Sequence, residues 1–498
     1  MIEKILSYTK GFLKPRKPRS HAFRTYGRDV HGIAKSAVSP AALETCRALR
    51  AKGFEAYIVG GAVRDLITGH RPKDFDVVTN ATPEEIKRAM RRAIIIGRRF
   101  RLVHVLYGKE TIECSTFRAL NGAGVKKDAS GRVINDNDFG EMWEDAARRD
   151  FTINALFYDP SDETVIDYHD GMDDIRNGIV RMIGKPEERY REDPVRMLRA
   201  IRIASKLDYE IEKETLAPIA KLSPLLKNVP QARLFDEALK LLTCGQSLTC
   251  MKALRSAKLD RYILPSLSVA LNYENGRAFL ELAMRRTDER IQAGKKVSPS
   301  FLFATLLWPA VCHRYREAVT MTSPMRAITE AGRAVLDKHA EQMEIQARIT
   351  ADILFIWQMQ VRLTYRARKT TIDLPYAPKF RASYDFLMLR SHLGYVDEKL
   401  VDWWKNFQDA DLEARGAMIE EAVYDKTVFE AISEREAPLP EAPKATARKP
   451  RTASKAKKPE APKQEEPART EEAPKETKVK KPVRRAPRRK AAPKARKE

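Results

Sequence analysis

Apolar and polar positions follow two different rhythms along this chain, and the change of rhythm divides it. Between Ser39 and Met182, short apolar runs of strand length alternate with brief helical patterns. SPAALETCRALRAKGF predicts an amphipathic helix entered at Ser39-Pro40 and left near Gly53. AYIVG predicts a strand, GAVRDLITG a brief helix and DFDVVT another strand. TPEEIKRAMRRA predicts a helix with Thr82 as N-cap, Pro83 at its first position and acids in its first turn. IIIG, RLVHVLYG and TIECSTF are rich in β-branched residues and alternate, so they predict strands. NGAGVKKDASGRVINDNDFGEM is polar and full of turn residues, and a mobile loop is expected there. After Arg189 the strand signals fade. YREDPVRMLRAIRIASKL, ARLFDEALKLLTC, SLTCMKALRSAKL, GRAFLELAMRRTDERI and most of the chain to Ile432 carry helical periodicity. The fold class expected is α+β: an α/β head followed by an all-helical neck and body, with no internal repeat.

Charge sharpens this division. The 498 residues carry a formal charge of +24, but Met1–Ser36 holds nine Lys/Arg against two acids, and Ala437–Glu498 holds 21 against eight. The middle is nearly neutral, so two basic extensions flank an ordinary globular body. The last 62 residues contain 11 of the 28 prolines and no aromatic residue. Such a composition cannot bury enough apolar area to offset chain entropy, and a disordered tail is expected. The expected divisions are a basic N-terminal extension over 1–38, a head over 39–186, a neck over 187–250, a body over 251–434 and a basic tail over 435–498. A polyanionic partner follows, and nucleic acid fits better than a membrane because the extensions lack apolar anchors. There is no apolar run of 18 residues and no secretory pattern, and the five cysteines form no CxxC pair. A cytoplasmic location is the expectation.

Within the head, Asp74 and Asp76 lie at i and i+2 on a predicted strand, which points both carboxylates to one face. Like charges so placed repel, and a hard cation between them, such as magnesium, relieves the repulsion. A solvated strand end has the same spelling. Upstream, Gly60-Gly61 joins a strand to a helix start, where backbone N–H groups can approach a phosphate and Arg64 can reach out as a further ligand. A tight turn explains a lone Gly-Gly equally well. Glu113 on TIECSTF is either a third carboxylate for the same cluster or a solvent-facing edge residue. In RRDFTINA, Asp150 and Asn154 lie at i and i+4, where they could hold a ribose hydroxyl or orient a metal-bound group. Asp193-Pro194 opens a helix on which Arg196, Arg199 and Arg202 form a stripe beside Glu192. The stripe could bind a triphosphate and a base edge, or be a salt-bridged solvent face.

IVGGAVRD, DFDVVT, RRDFTINA and REDPVRMLRAIRIA resemble, in order and spacing, the motifs of class II nucleotidyltransferases. That family contains the bacterial poly(A) polymerases and the CCA-adding tRNA nucleotidyltransferases, and the likeness spans about Ala41 to Gly245. IIIGRRFRLVHVLYG, KFRASYDFLMLR and the basic tail are similar to the poly(A) branch, while Ile203 stands where the family often has Phe. The resemblance implies a template-independent poly(A) polymerase adding AMP from ATP to RNA 3′ ends and releasing pyrophosphate; the alternative is a CCA-adding enzyme. It implies Asp74 and Asp76 as ligands of two magnesium ions, with Asp150 as the third acid of the catalytic set. Gly60, Gly61 and Arg64 would contact the triphosphate, and Asp193 and Arg196 the base edge. Arg149, Asn154, Glu192, Arg199 and Arg202 complete the nucleotide-binding set. Candidate partners are RNA 3′ ends and proteins of RNA degradation or RNA chaperoning, with no membrane.

Overall fold

The structure is a computed structural model and describes residues 22–97, 101–120, 126–127, 133–135, 138–264, 270–271, 274–341, 343–425 and 427–437. All of them fall in one compact unit, Met1–Pro440. The expected disorder from residue 438 on, and most of the expected mobile loop, lie outside the described residues.

The head holds strands β1 (Arg24–Tyr26), β2 (Ala56–Val59), β3 (Asp76–Thr79), β4 (Ala93–Ile96), β5 (Leu102–Tyr107) and β6 (Glu110–Thr116). A small ribbon, β7 (Lys126–Lys127) with β8 (Val133–Asn135), precedes β9 (Leu156–Asp159) and β10 (Thr164–Asp167). The main sheet runs β1-β10-β9-β2-β3-β6-β5-β4. All its pairings are antiparallel except β3 with β6. Its helices are α1 (Arg28–His31), α2 (Pro40–Ala51), α3 (Gly61–Ile67), α4 (Pro83–Ala89), α5 (Met142–Arg148) and α6 (Gly171–Asn177). Ser39 Oγ caps α2 by accepting from Ala41 and Ala42, and Thr82 with Glu85 closes a capping box on α4. Along β2 the side chains alternate. Ala56 and Ile58 join the core that holds Ala42, Cys46 and Leu49 of α2, while Tyr57 and Val59 join Phe117, Met142 and Phe157 in a second one.

The neck and body are helical: α7 (Pro186–Glu192), α8 (Val195–Leu207), α9 (Lys213–Leu216), α10 (Ile219–Leu222), α11 (Gln231–Leu242), α12 (Ser247–Ser256) and α13 (Asp260–Ile263), then α14 (Glu274–Gln292), α15 (Pro299–Val319), α16 (Pro324–Ala340), α17 (Ala347–Arg362), α18 (Phe380–Ser391), α19 (Glu398–Asp409) and α20 (Leu412–Tyr424). A two-stranded parallel pair, β11 (Ile179–Val180) with β12 (Glu210–Ile211), ties the end of the head to the chain beyond α8. A separate apolar cluster around the fully buried Trp404 gathers α17, α18 and α19. No described helix is long and apolar enough to cross a membrane.

Two expected boundaries move. Residues 22–38, assigned from charge to the basic extension, are part of the head. β1 adds to the sheet edge against β10, and His31 is buried. Its Nδ1 accepts from the Ile33 N–H at 3.0 Å, so Nε2 carries the proton and donates to Glu163 O at 2.9 Å. At the other end, the expected tail begins too early. Glu436 is buried, and its carboxylate takes Arg390 Nε at 2.8 Å, Arg390 Nη2 at 2.7 Å and Trp308 Nε1 at 2.6 Å. The Arg390 guanidinium is completed by Ala431 O and Gln360 Oε1. A buried pair with every donor satisfied belongs to a core, not to a tail.

Candidate active site

Strand β2 ends at Val59, paired in register with Asp76 on β3, and Asp76 is in turn in register with Glu113 on β6. Three neighbouring strands therefore bring the glycine turn and two acids to one end of the sheet. Gly60 has φ +78, and a Cβ there would sit 3.5 Å from Arg149 Nη1 and 3.8 Å from Asp76 Oδ2. Glycine is needed at this point both for the backbone and to keep the space above Asp76 clear.

Asp74 is exposed just before β3, and Asp76 keeps a solvent-accessible edge at the strand's start. Packed surroundings on its other sides, together with Glu113 and Asp74, push the Asp76 carboxyl up to about 6, against the pull of Arg149 and Arg199. Glu113 also faces His104, whose Nε2 lies 3.5 Å from Glu113 Oε1. Among the described residues no three His, Cys, Asp or Glu side chains close on one point. The donor set is two carboxylates open to solvent beside the glycine turn. It fits a hard divalent ion that takes its remaining ligands from water and phosphate, and not a caged metal.

Behind this opening the charges are paired. Burial would raise the Asp150 carboxyl, yet Arg199, Asn154 and the Phe151 N–H hold it well below the carboxylate range. Its Oδ1 accepts from Phe151 N at 2.9 Å and Asn154 Nδ2 at 3.0 Å, and its Oδ2 from Arg199 Nε at 2.7 Å and Nη2 at 2.6 Å. Asn154 Oδ1 accepts from Arg64, which also donates to Asp65 Oδ1, and Asp65 Oδ2 receives Lys206 Nζ at 2.7 Å. Arg64 is thus buried and turned inward, where it was expected to reach toward phosphate. Asp65 and Asn154 supply the partners that a buried guanidinium requires. Arg149 donates through Nε and Nη2 to Asp145 Oδ2 and leaves Nη1 on the Gly60 side.

The arginine stripe of α8 is salt-bridged, but it faces neighbouring elements instead of solvent. Arg196 Nη1 bonds Arg189 O at 2.9 Å and Glu192 Oε2 at 3.3 Å, Arg199 meets Asp150, and Arg202 lies 3.9 Å from Glu237. Asp193 caps Val195 and is gripped by Arg233 of α11 through both oxygens, at 2.9 and 2.7 Å. The structure thus links Asp76, Arg149, Asp150, Asn154 and Arg199 to the glycine turn. Glu192, Asp193, Arg196 and Arg202 form a second cluster along α7, α8 and α11. Sequence reasoning missed Arg189, Arg233, Glu237, Asp65 and Lys206. Arg233 and Glu237, an i,i+4 pair of opposite charges on an amphipathic helix, were the detectable signal.

The Poly A polymerase head domain family matches residues 56–181, the Probable RNA and SrmB- binding site of polymerase A matches 208–271, and the Polymerase A arginine-rich C-terminus matches 320–452. A Poly(A) polymerase I of Salmonella typhi is 41% identical over 409 residues, covering 79% of this chain and 88% of that one. A CCA-adding enzyme of Enterococcus faecalis is 41% identical over only 196 residues, 39% of this chain and 47% of that one. Among solved structures, a tRNA-processing enzyme in an apo form aligns with a TM-score of 0.52 at 22% identity, over 76% of this chain and 99% of that one. That likeness describes the fold.

Proposed function

We propose how this chain, which belongs to the family of bacterial poly(A) polymerases, uses the site just described. It is a nucleotidyltransferase that binds RNA, and membership in the family implies use of a nucleoside triphosphate and a divalent metal. In our reading the triphosphate is ATP, and Asp74 and Asp76 hold two magnesium ions. When bound, those ions supply the charge that makes the RNA 3′ hydroxyl a nucleophile and steadies the departing pyrophosphate. The 3′ oxygen attacks the α-phosphorus in line, the bond to the β-phosphate bridging oxygen breaks, and the hydroxyl proton passes to solvent.

The chain's own residues orient the reactants. Gly60 and Gly61 let the triphosphate approach the backbone, and Arg149 supplies a guanidinium on the same side. Asp150, fixed by Asn154, holds Arg199 toward the nucleotide, while Arg64 supports the turn from behind. Asp193 and Arg196 meet the base: a carboxylate accepts from an exocyclic amino group and a guanidinium donates to the ring nitrogen beside it. Glu192 holds Arg196 and Arg233 holds Asp193, while Arg202 stands beside Glu237 further along the same helix. RNA binds the helical neck and body, and protein partners of RNA turnover fit the 208–271 segment. The reaction runs where ATP and RNA meet, in the cytoplasm.

The observation that carries the poly(A) reading is the 41% identity sustained over 88% of a poly(A) polymerase, against a likeness to CCA-adding enzymes limited to less than half of each chain. A primer-extension assay tests it. A generic RNA oligomer and a tRNA lacking its 3′ end each receive ATP, CTP or both. A long ladder on the generic RNA with ATP alone is expected; addition of two C and one A to the tRNA without a ladder would overturn the reading.

A further inference from the structure

Two adjoining cavities open on the body, away from the residues assigned above. The larger, about 950 Å³, is lined among others by Arg316, Arg366, Val428 and Phe429; the smaller, about 370 Å³, by Met325, Arg362, Thr371 and Leu374. Tyr365 and Arg368 line both. Exposed Arg368 lies over the Tyr365 ring, its guanidinium carbon 3.8 Å from the ring centroid.

The charges in this cleft divide into two kinds. Arg366 is neutralised by Asp425 at 2.7 Å and packed against Phe429 and Trp403, so it is part of the wall. Arg316 is likewise held by Glu434 at 2.7 Å. Arg362, Arg368 and Lys369 are all exposed, and none has an acidic partner among the described residues. A cleft lined by two unneutralised cations, Arg362 and Arg368, one of them stacked on an aromatic ring and followed in the chain by exposed Lys369, suits a ligand with both phosphates and planar bases. The wall itself adds a second argument. Residues 427–434 line the larger cavity and are anchored just beyond it, where Arg316 binds Ala437 O and Arg390 locks Glu436, so the cleft is preformed.

We propose that the Tyr365–Arg368 cleft is a docking site for single-stranded RNA, distinct from the catalytic opening, which stacks a base against Arg368 and Tyr365 while phosphates meet Arg362 and Lys369. The proposal takes its ligand class from the poly(A) polymerase reading. Exposed Val423 and Val428 on the rim would alternatively favour a protein partner, and the test separates the two.

The test uses the full chain and its Arg368→Ala, Tyr365→Ala and Tyr365→Phe variants, with unchanged melting temperatures as the condition for comparison. Fluorescence anisotropy reads binding to a ~20-nucleotide oligoadenylate, a length that exceeds one stacking site. The expected result is about a tenfold weaker Kd for Arg368→Ala and Tyr365→Ala, recovered in Tyr365→Phe, which keeps the ring. The kcat at saturating RNA should stay at the wild-type value. Unchanged oligoadenylate affinity in both alanine variants would overturn the site. So would an equal loss for polyglutamate, which has charge but no bases. Failure of the wild type to extend RNA with ATP would instead count against the activity reading.

Discussion

Asp76 and Asp150 are both acids at the heart of one head, and their surroundings push them in opposite directions. Asp76 has packed walls, two acid neighbours and no direct salt bridge among the described residues, and its carboxyl rises to about 6. Asp150 is more deeply buried, yet a guanidinium and two N–H donors hold it firmly ionised. The difference separates the work of the two regions. Acids short of positive charge mark where a ligand must bring it; acids already matched to arginines build the frame that keeps the opening in place. The same contrast extends outward, from the open end of β3 to the buried Arg390–Glu436 pair in the body.

The largest effect should come from the open side. Asp76→Ala removes one of the two carboxylates proposed to hold the metal. Single-turnover extension should fall on the order of 1,000-fold, the scale of losing several kcal/mol of charge stabilisation, while RNA affinity stays near wild type. Retained extension would break the comparison. On the framed side, Glu436→Ala leaves Arg390 buried without its carboxylate and should cost roughly 3–5 kcal/mol of stability, read by urea unfolding. Truncation after Ala437 should cost almost none of it, so equal losses would contradict the placement of Glu436 in the core. The smallest of the three sharpens the rule through an exception. His339 is fully buried, neither ring nitrogen has a hydrogen-bond partner among the described residues, and burial pulls it down to about 4. The unfolded chain binds this proton below its ordinary value of about 6.5. Stability is therefore lost as pH falls from about 6.5 toward 4, by roughly 2–3 kcal/mol. His339→Leu should remove that part of the acid sensitivity, and an unchanged pH profile would count against it.

Much of this arrangement was legible in residue order. Ser39-Pro40 and Thr82 through Glu85 announce their helices by local capping chemistry, and these are short-range effects that a single sequence contains. Gly60-Gly61 and the Asp74/Asp76 spacing likewise depend only on neighbours. What stayed hidden depends on distant partners. β1 is three residues long and pairs with Asp167, Ile166 and Val165, some 140 positions on, so Arg24 and its basic neighbours read as an extension. Arg64 looked outward because nothing nearby shows that Asn154 will close over it. Periodicity found the stripe Arg196, Arg199 and Arg202. It placed Glu192 beside Arg196 but could not pair Arg199 with Asp150 or Arg202 with Glu237, which come from separate elements. Glu436 lies at the edge of a segment whose composition is that of a tail, and only the Arg390 pocket reveals that it is core.

The most direct measurement is calorimetric titration of Mn2+, as a stand-in for magnesium, into the full chain with ATP and no RNA. Wild type, Asp76→Ala and Asp150→Asn are compared. Tight metal uptake by the wild type, its loss in Asp76→Ala and its retention in Asp150→Asn is the result predicted for an open acid awaiting a cation beside a framed acid already satisfied. Uptake undiminished in Asp76→Ala, or abolished by Asp150→Asn in a chain that still melts like the wild type, would contradict it.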